Sequence, residues 1–146
     1  MKSLGRVQVG IVIIPVMLFA FGLRVFGITQ KGFLTWDDSS LAVRGLYLLH
    51  PSQPYQYLLD VFGYAKPAHI LATAGSYLIW GMHRWSPTLV SILFGMLTLA
   101  VVFRWAAMIG GSRAGVLAVV LLSVSFSHLF YSRSENPQSA QMLFVA

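Results

Sequence analysis

The chain has 146 residues, of which 57% are hydrophobic and only 10% are charged, and it contains no cysteine. Because soluble domains carry roughly 25% charged residues, this composition excludes a water-exposed globular surface and indicates a membrane protein without disulfides. The net charge of +6 comes from basic residues spread singly between apolar segments, which favours anionic or phosphorylated lipids as partners and argues against nucleic acid.

The first apolar segment, residues 7–26, reads VQVGIVIIPVMLFAFGLRVF and is long enough to cross a bilayer as a helix. Pro15 lies inside it, which membrane helices tolerate. A signal peptide is the alternative, because a basic start precedes the apolar core. We favour a transmembrane helix, since the stretch is long, no A-x-A cleavage site follows it, and further apolar segments come later.

Residues 27–85 are too polar to span a membrane and too apolar to be a solvated linker. Within them, residues 39–49 place apolar side chains on one helical face, which predicts an amphipathic helix. The apolar run 70–80 is too short to cross and predicts an interfacial or re-entrant helix. We therefore expect a long outer loop that carries amphipathic interfacial helices.

Two further spans are predicted at residues 87–109 and 114–131. Ser86-Pro87 has the pattern of an N-cap followed by proline at the first helical position, and Gly110-Gly111 predicts a helix end. A fourth helix should start at Asn136-Pro137, and the sequence ends inside it. The expected fold is an all-α membrane protein with polytopic transmembrane helices, present here as part of a longer chain and inactive by itself.

The orientation follows from the distribution of basic residues. With a cytoplasmic N-terminus, the cytoplasmic ends of the spans are short and purely basic, with Lys2, Arg6, Arg104 and Arg113. The other side holds more basic residues in total, but a loop of about 60 residues responds weakly to charge. We therefore place the N-terminus in the cytoplasm and residues 27–85 outside.

Asp37 and Asp38 are adjacent acids that follow the first predicted span. Carboxylates at the mouth of a membrane suit a general base that activates an acceptor hydroxyl or amine, or a metal ligand. The alternative is structural, because Thr35-x-x-Asp38 resembles a capping box and acids in a first turn complement the helix dipole. Both interpretations can hold together, since a carboxylate fixed at a helix start is also well positioned.

Two basic residues are candidate ligands for a lipid phosphate. Lys66 stands in a Lys-Pro step before the run 70–80, where the alternative is an ordinary interfacial lysine. Arg133 follows the third predicted span and is interpreted as a phosphate ligand, a partner of Glu135 or an interface anchor. The histidines lack metal-binding spacing and are interpreted as interfacial or packed; they occupy positions 50, 69, 83 and 128.

Three pieces of the sequence, in this order and spacing, resemble the GT-C glycosyltransferases, in particular the dolichyl-phosphate-mannose protein mannosyltransferases and the lipid A aminoarabinose transferases. They cover most of residues 20–146 and read FLTWDDSSLAVRGLYLL, YAKPAHILATAGSYLIWGMHRWSPTLVSILFGMLTLAVVFRWAAMIGGSRAGVLAVVLLSVS and YSRSENPQSAQMLF. The resemblance implies a multi-pass enzyme of the bacterial plasma (inner) membrane. Its donor would be a polyprenyl-phosphate-linked sugar, and its acceptor a lipid or protein on the outer face.

By this resemblance, Asp37 would act as the base or as a ligand of a divalent metal such as Mg or Mn, with Asp38 at its side. Lys66 and Arg133 would contact the carrier phosphate. The acidic pair is Asp-Asp where the family usually has Asp-Glu, and Asn136-Pro137-Gln138 stands where the family often has an aspartate. The competing class is a non-enzymatic membrane subunit or a transporter module, which the scarcity of ionisable residues in the predicted spans disfavours.

Overall fold

The computed structural model describes residues 6–30, 36–50, 67–135 and 137–145, and within these ranges every regular element is helical. In chain order they are α1 (Arg6–Val25), a 3-10 turn (Ile28–Gln30), α2 (Trp36–Leu49), α3 (Pro67–Trp80), α4 (Ser86–Val124), α5 (Phe126–Ser132) and α6 (Gln138–Val145). Two stretches, Gly10–Gln30 and Ser86–Val124, are long and apolar enough to cross a membrane. The predicted all-α membrane fold is therefore confirmed.

Helix α1 has 20 residues and a length of about 30 Å, which matches the hydrocarbon thickness of a bilayer. Its inner face packs against α4 through Ala20, which is fully buried with Leu99 and Val119. Its outer face exposes large apolar side chains such as Ile14 and Leu18. Exposure of this kind is unfavourable in water and normal in lipid, so the face away from α4 is the lipid-facing one.

Helix α4 is divided by Gly111, whose φ of 80° and ψ of 173° lie in a region that only glycine adopts readily. The second part of α4 turns back and packs closely against the first. A Cβ at Gly115 would lie 2.8 Å from the carbonyl oxygen of Phe103 and 3.0 Å from the Cβ of Ala107. The break falls at Gly110-Gly111, the glycine pair that predicts a helix end. The absence of a side chain at Gly115 permits the two parts of α4 to approach each other closely.

The start of α4 differs from the prediction that Ser86 is its N-cap. Trp85 occupies the cap position without a side-chain hydrogen bond to the helix. The hydroxyl of Ser86 donates instead to the carbonyl oxygen of Gly81, at 2.7 Å. Gly81 has a φ of 82° and directly follows the last residue of α3, so the serine joins two successive helices rather than capping one.

The segment predicted as an uninterrupted span at residues 114–131 is broken at Ser125, whose φ of −58° and ψ of 126° are extended. Ser125 separates α4 from α5. The break lets α5 take its own direction, and it buries His128 and Ser132. Ser132 lies against Gly95 of α4, where a Cβ would approach the serine Cβ to 2.5 Å.

Helices α2 and α3 pack against each other and lie within the predicted outer loop. Leu41 of α2 and Ile70 of α3 form a small buried apolar cluster. Gly45 permits close contact, because a Cβ there would lie 2.7 Å from Cγ2 of Thr73. The 14 residues of α3 span about 21 Å, which is shorter than a bilayer core.

Candidate active site

The predicted acidic residues lie at the start of α2, which begins at Trp36. The backbone of Asp37 and Asp38 is in its first turn, while their side chains lie outside the described residues. Lys66 also lies outside them, and in the sequence it directly precedes Pro67, the first residue of α3. The roles predicted for these three residues therefore stay predictions.

Arg133 comes directly after α5, in the turn that leads to α6. Its Nη2 donates a hydrogen bond of 2.6 Å to the carbonyl oxygen of Phe26, which follows the last residue of α1. The bond joins positions 107 residues apart and fixes the turn after α5 against the end of α1. The guanidinium is thus held at the end of the first membrane helix.

Glu135 is the one acidic residue of the sequence outside the predicted outer loop, and its side chain is buried. Helix α3 supplies its contacts. The hydroxyl of Thr73 donates to Oε1 at 2.7 Å, and Nε2 of His69 lies 3.4 Å from the same oxygen. At that separation the His69 contact is electrostatic rather than a well-formed hydrogen bond. Glu135 thus contacts α3 rather than Arg133, its partner in one interpretation of the sequence.

Helix α3 has polar residues on its buried face and apolar residues on its exposed face. The buried face carries His69, Thr73, Ser76 and Tyr77, and the exposed face carries Leu71, Leu78 and Ile79. Burial, and then the Glu135 carboxylate, raise the pKa of Tyr77 above its usual range, so this phenol stays neutral. Its hydroxyl donates to the carbonyl oxygen of Ala42 in α2, at 3.3 Å. The arrangement suits a helix with lipid outside and a polar centre inside.

A second buried polar cluster joins α1 to α5. Arg24 is fully buried; its Nη1 donates to the carbonyl oxygen of Ala20 at 2.8 Å, and its Nη2 lies 2.7 Å from Nδ1 of His128. Because arginine only donates, Nδ1 of His128 is the acceptor and carries no proton. Ser132 donates to the carbonyl oxygen of His128, at 2.6 Å. The cluster lies beside Arg133 and adds a second guanidinium to this end of the helices.

A pocket of about 190 Å³ opens between the start of α3 and helix α6. It is lined by Pro67, Ala68, His69, Pro137, Ala140, Gln141 and Phe144. His69 is therefore placed between this pocket and the Glu135 carboxylate. The described residues contain no group of three or more His, Asp or Glu side chains that could hold a metal ion. A Mg or Mn ion at Asp37 remains a prediction.

The sequence predicts that His69 and His128 are interfacial or packed, and it indicates no role for Arg24, which lies near the end of the first apolar segment. Both histidines are buried, and each has an ionisable partner from a distant part of the sequence. One sequence signal points to the α3 cluster: His69, Thr73 and Ser76 recur at helical spacing inside an apolar run. Their partner Glu135 lies 62 positions after Thr73, and no local pattern indicates it.

The family model for dolichyl-phosphate-mannose-protein mannosyltransferase matches residues 66–146, which is more than half of the chain. The matched region begins at Lys66 and includes Arg133, Glu135 and the buried face of α3. Asp37 and Asp38 precede it. No curated protein and no solved structure matches the chain.

Proposed function

The chain belongs to the dolichyl-phosphate-mannose-protein mannosyltransferase family, and we propose that it transfers a sugar from a polyprenyl-phosphate carrier to a lipid or protein acceptor at the outer face of the bacterial plasma membrane. The observation that carries the proposal is the family match over residues 66–146. It is supported by a composition suited to a bilayer, where a lipid-linked donor resides.

In the proposed reaction, an oxygen of the acceptor attacks the anomeric carbon of the sugar. The bond between that carbon and the phosphate oxygen breaks, and its electron pair leaves with the lipid phosphate. The proton of the acceptor hydroxyl passes to a base. We assign this base to Asp37, because it lies in the first turn of α2, the next α-helix of the described chain after the first membrane helix. A positioned base typically contributes about 10²–10⁴-fold to the rate.

The lipid phosphate gains negative charge as it leaves, so basic groups fixed near it lower the barrier. Arg133 is a candidate because its guanidinium is held at the end of α1. Arg24 places a second guanidinium close by, because its Nε and the Cβ of Ser132, the residue before Arg133, both lie within 4 Å of the position that a Cβ at Gly95 would take. Cations held together in this way attract an anion. With Lys66 at the start of α3, they form the proposed phosphate site.

The topology is part of the same proposal. The N-terminus would be cytoplasmic, and α2 and α3 would lie at the outer surface of the membrane. The membrane would be crossed by α1, by the first part of α4, and by the second part of α4 together with α5. This arrangement puts Asp37, Lys66 and Arg133 at one membrane face. A transporter module is the second candidate, because buried ionisable residues such as Arg24 and His128 are typical of transporters. The family match favours the transferase.

The test is consumption of donor in detergent by the purified full-length enzyme to which this chain is expected to belong. Polyprenyl-phosphate mannose and GDP-mannose, each labelled in the sugar, are supplied separately with a membrane extract as the source of acceptors, and mock-purified material is the control. We expect loss of label from the lipid-linked donor alone. If label left GDP-mannose and the lipid-linked donor stayed intact, the proposal would be wrong. Lipid-linked glucose, galactose and aminoarabinose in the same assay identify the sugar.

A further inference from the structure

The turn between α5 and α6 is held from two sides. On one side, Arg133 donates to the carbonyl oxygen of Phe26 at the end of α1. On the other, Glu135 accepts from Thr73 and lies 3.4 Å from His69, both of which belong to α3. Since Arg133 and Glu135 are two residues apart, a shift of one moves the other. The contacts of Glu135 with α3 therefore help to set where the guanidinium of Arg133 lies.

Stability is a weak explanation for these contacts. Glu135 is 1% exposed, and its Oε2 has no hydrogen-bond partner among the described residues. His69 is 2% exposed, and neither ring nitrogen makes a well-formed hydrogen bond within the described part of the chain. Burying such groups is unfavourable, and apolar residues of similar volume would pack there at least as well. The buried polar contacts of Glu135 with α3 therefore indicate a role other than stabilising the fold.

We propose that Glu135, His69 and Thr73 form a brace that positions Arg133 for the donor phosphate. The brace acts through Arg133 and does not itself touch the donor. This inference rests on the proposed function, because it assumes that Arg133 contacts the phosphate of a polyprenyl carrier. It adds three positioning residues that come from two distant parts of the sequence, α3 and the turn after α5.

Glu135→Leu keeps a similar side-chain volume but leaves the buried hydroxyl of Thr73 without its acceptor, so some loss of stability is expected whatever the role of Glu135. A positioning role predicts in addition weaker binding of the carrier, measured at a temperature at which the variant is fully folded. We expect the affinity of the intact protein for undecaprenyl monophosphate in detergent micelles to fall about tenfold or more, since small displacements at a site have effects of that size. Glu135→Gln keeps an oxygen that accepts from Thr73, and we expect it to restore part of the affinity.

A double-mutant comparison shows whether the brace acts through Arg133. In the Arg133→Ala background, Glu135→Leu should change the affinity by less than about twofold, because the group it positions is already gone. Ser123→Ala is the matched control: Ser123 is also buried, its hydroxyl donates within its own helix to the carbonyl oxygen of Val120, and its loss should leave the affinity unchanged.

The outcomes distinguish a failure of the proposed function from a failure of the brace alone. If the wild-type protein does not bind undecaprenyl monophosphate, the proposed function fails, and the brace fails with it. If the wild type binds and Glu135→Leu binds equally well, the brace alone is wrong. Equal tenfold losses with and without Arg133 would also overturn it, since they indicate a general structural effect. Should Glu135→Leu not fold, Thr73→Val removes the 2.7 Å hydrogen bond with little change in volume, and the same comparisons apply.

Discussion

Replacing Gly45 by valine should force α2 and α3 apart. A Cβ at this position would lie 2.7 Å from Cγ2 of Thr73 and 3.3 Å from the backbone nitrogen of Ala74. The distance to Cγ2 of Thr73 is about 0.7 Å shorter than an ordinary van der Waals contact. The backbone nitrogen of Ala74 cannot move aside by a side-chain rotation. Overpacking of this kind costs about 1–3 kcal/mol, while the better helix propensity of valine returns roughly 0.4 kcal/mol. We expect a net loss of about 1–2.5 kcal/mol.

Thermal unfolding in detergent, followed by circular dichroism, measures this loss as a melting temperature several degrees lower. Gly75→Val is the matched control on α3, because a Cβ at Gly75 meets no atom within 4 Å. Carrier affinity should fall with Gly45→Val as well, since Thr73 holds Glu135. Equal melting temperatures for the two variants would show that the contact between α2 and α3 is looser than described, and the reasoning would be refuted.

Three further predictions concern the helix break, the catalytic acids and the topology. Gly111→Ala should destabilise the protein by about 1–3 kcal/mol, because its backbone conformation is accessible to glycine alone; an unchanged melting temperature would contradict this. Asp37→Asn should lower turnover by about 10²–10⁴-fold at matched expression, while Asp38→Asn should cost less if capping is its main task; near-normal transfer by Asp37→Asn would refute the base assignment. In intact cells an impermeant thiol reagent should label Ser52→Cys and spare Ser112→Cys, and the reverse pattern would invert the topology.

Features that depend on local chemistry could be predicted from the sequence. The glycine pair before Ser112 coincides with the break in α4, because a left-handed backbone conformation needs glycine wherever the chain lies. The helix after Asn136-Pro137 begins at Gln138, since proline suits a first helical turn. The short length of α3 likewise follows from the breaks on either side of the apolar run 70–80.

Features that depend on distant contacts could not be predicted. Ser125 carries no breaking signal of its own, and α5 departs there because His128 meets Arg24, 104 positions earlier. His69 and Glu135 are separated by 66 positions. In the sequence, His69 alone cannot be distinguished from an ordinary packed histidine, nor Glu135 from an ordinary exposed glutamate. The chemistry of the residues and the family resemblance both indicate Asp37, Lys66 and Arg133 as candidates, but neither indicates the contacts that hold Arg133 in place.

In the proposed reaction, a lipid phosphate is bound and displaced beside Arg133. The most direct measurement is the rate at which the purified full-length enzyme releases polyprenyl phosphate from a labelled polyprenyl-phosphate sugar, compared between wild type, Arg133→Ala and Arg104→Ala. Arg104 is an exposed arginine of α4 outside the proposed site. We predict release by wild type and Arg104→Ala, and a loss of at least about tenfold in kcat/KM for Arg133→Ala, as expected when a charge-assisted contact with the leaving phosphate is removed. Equal rates for all three proteins would contradict it.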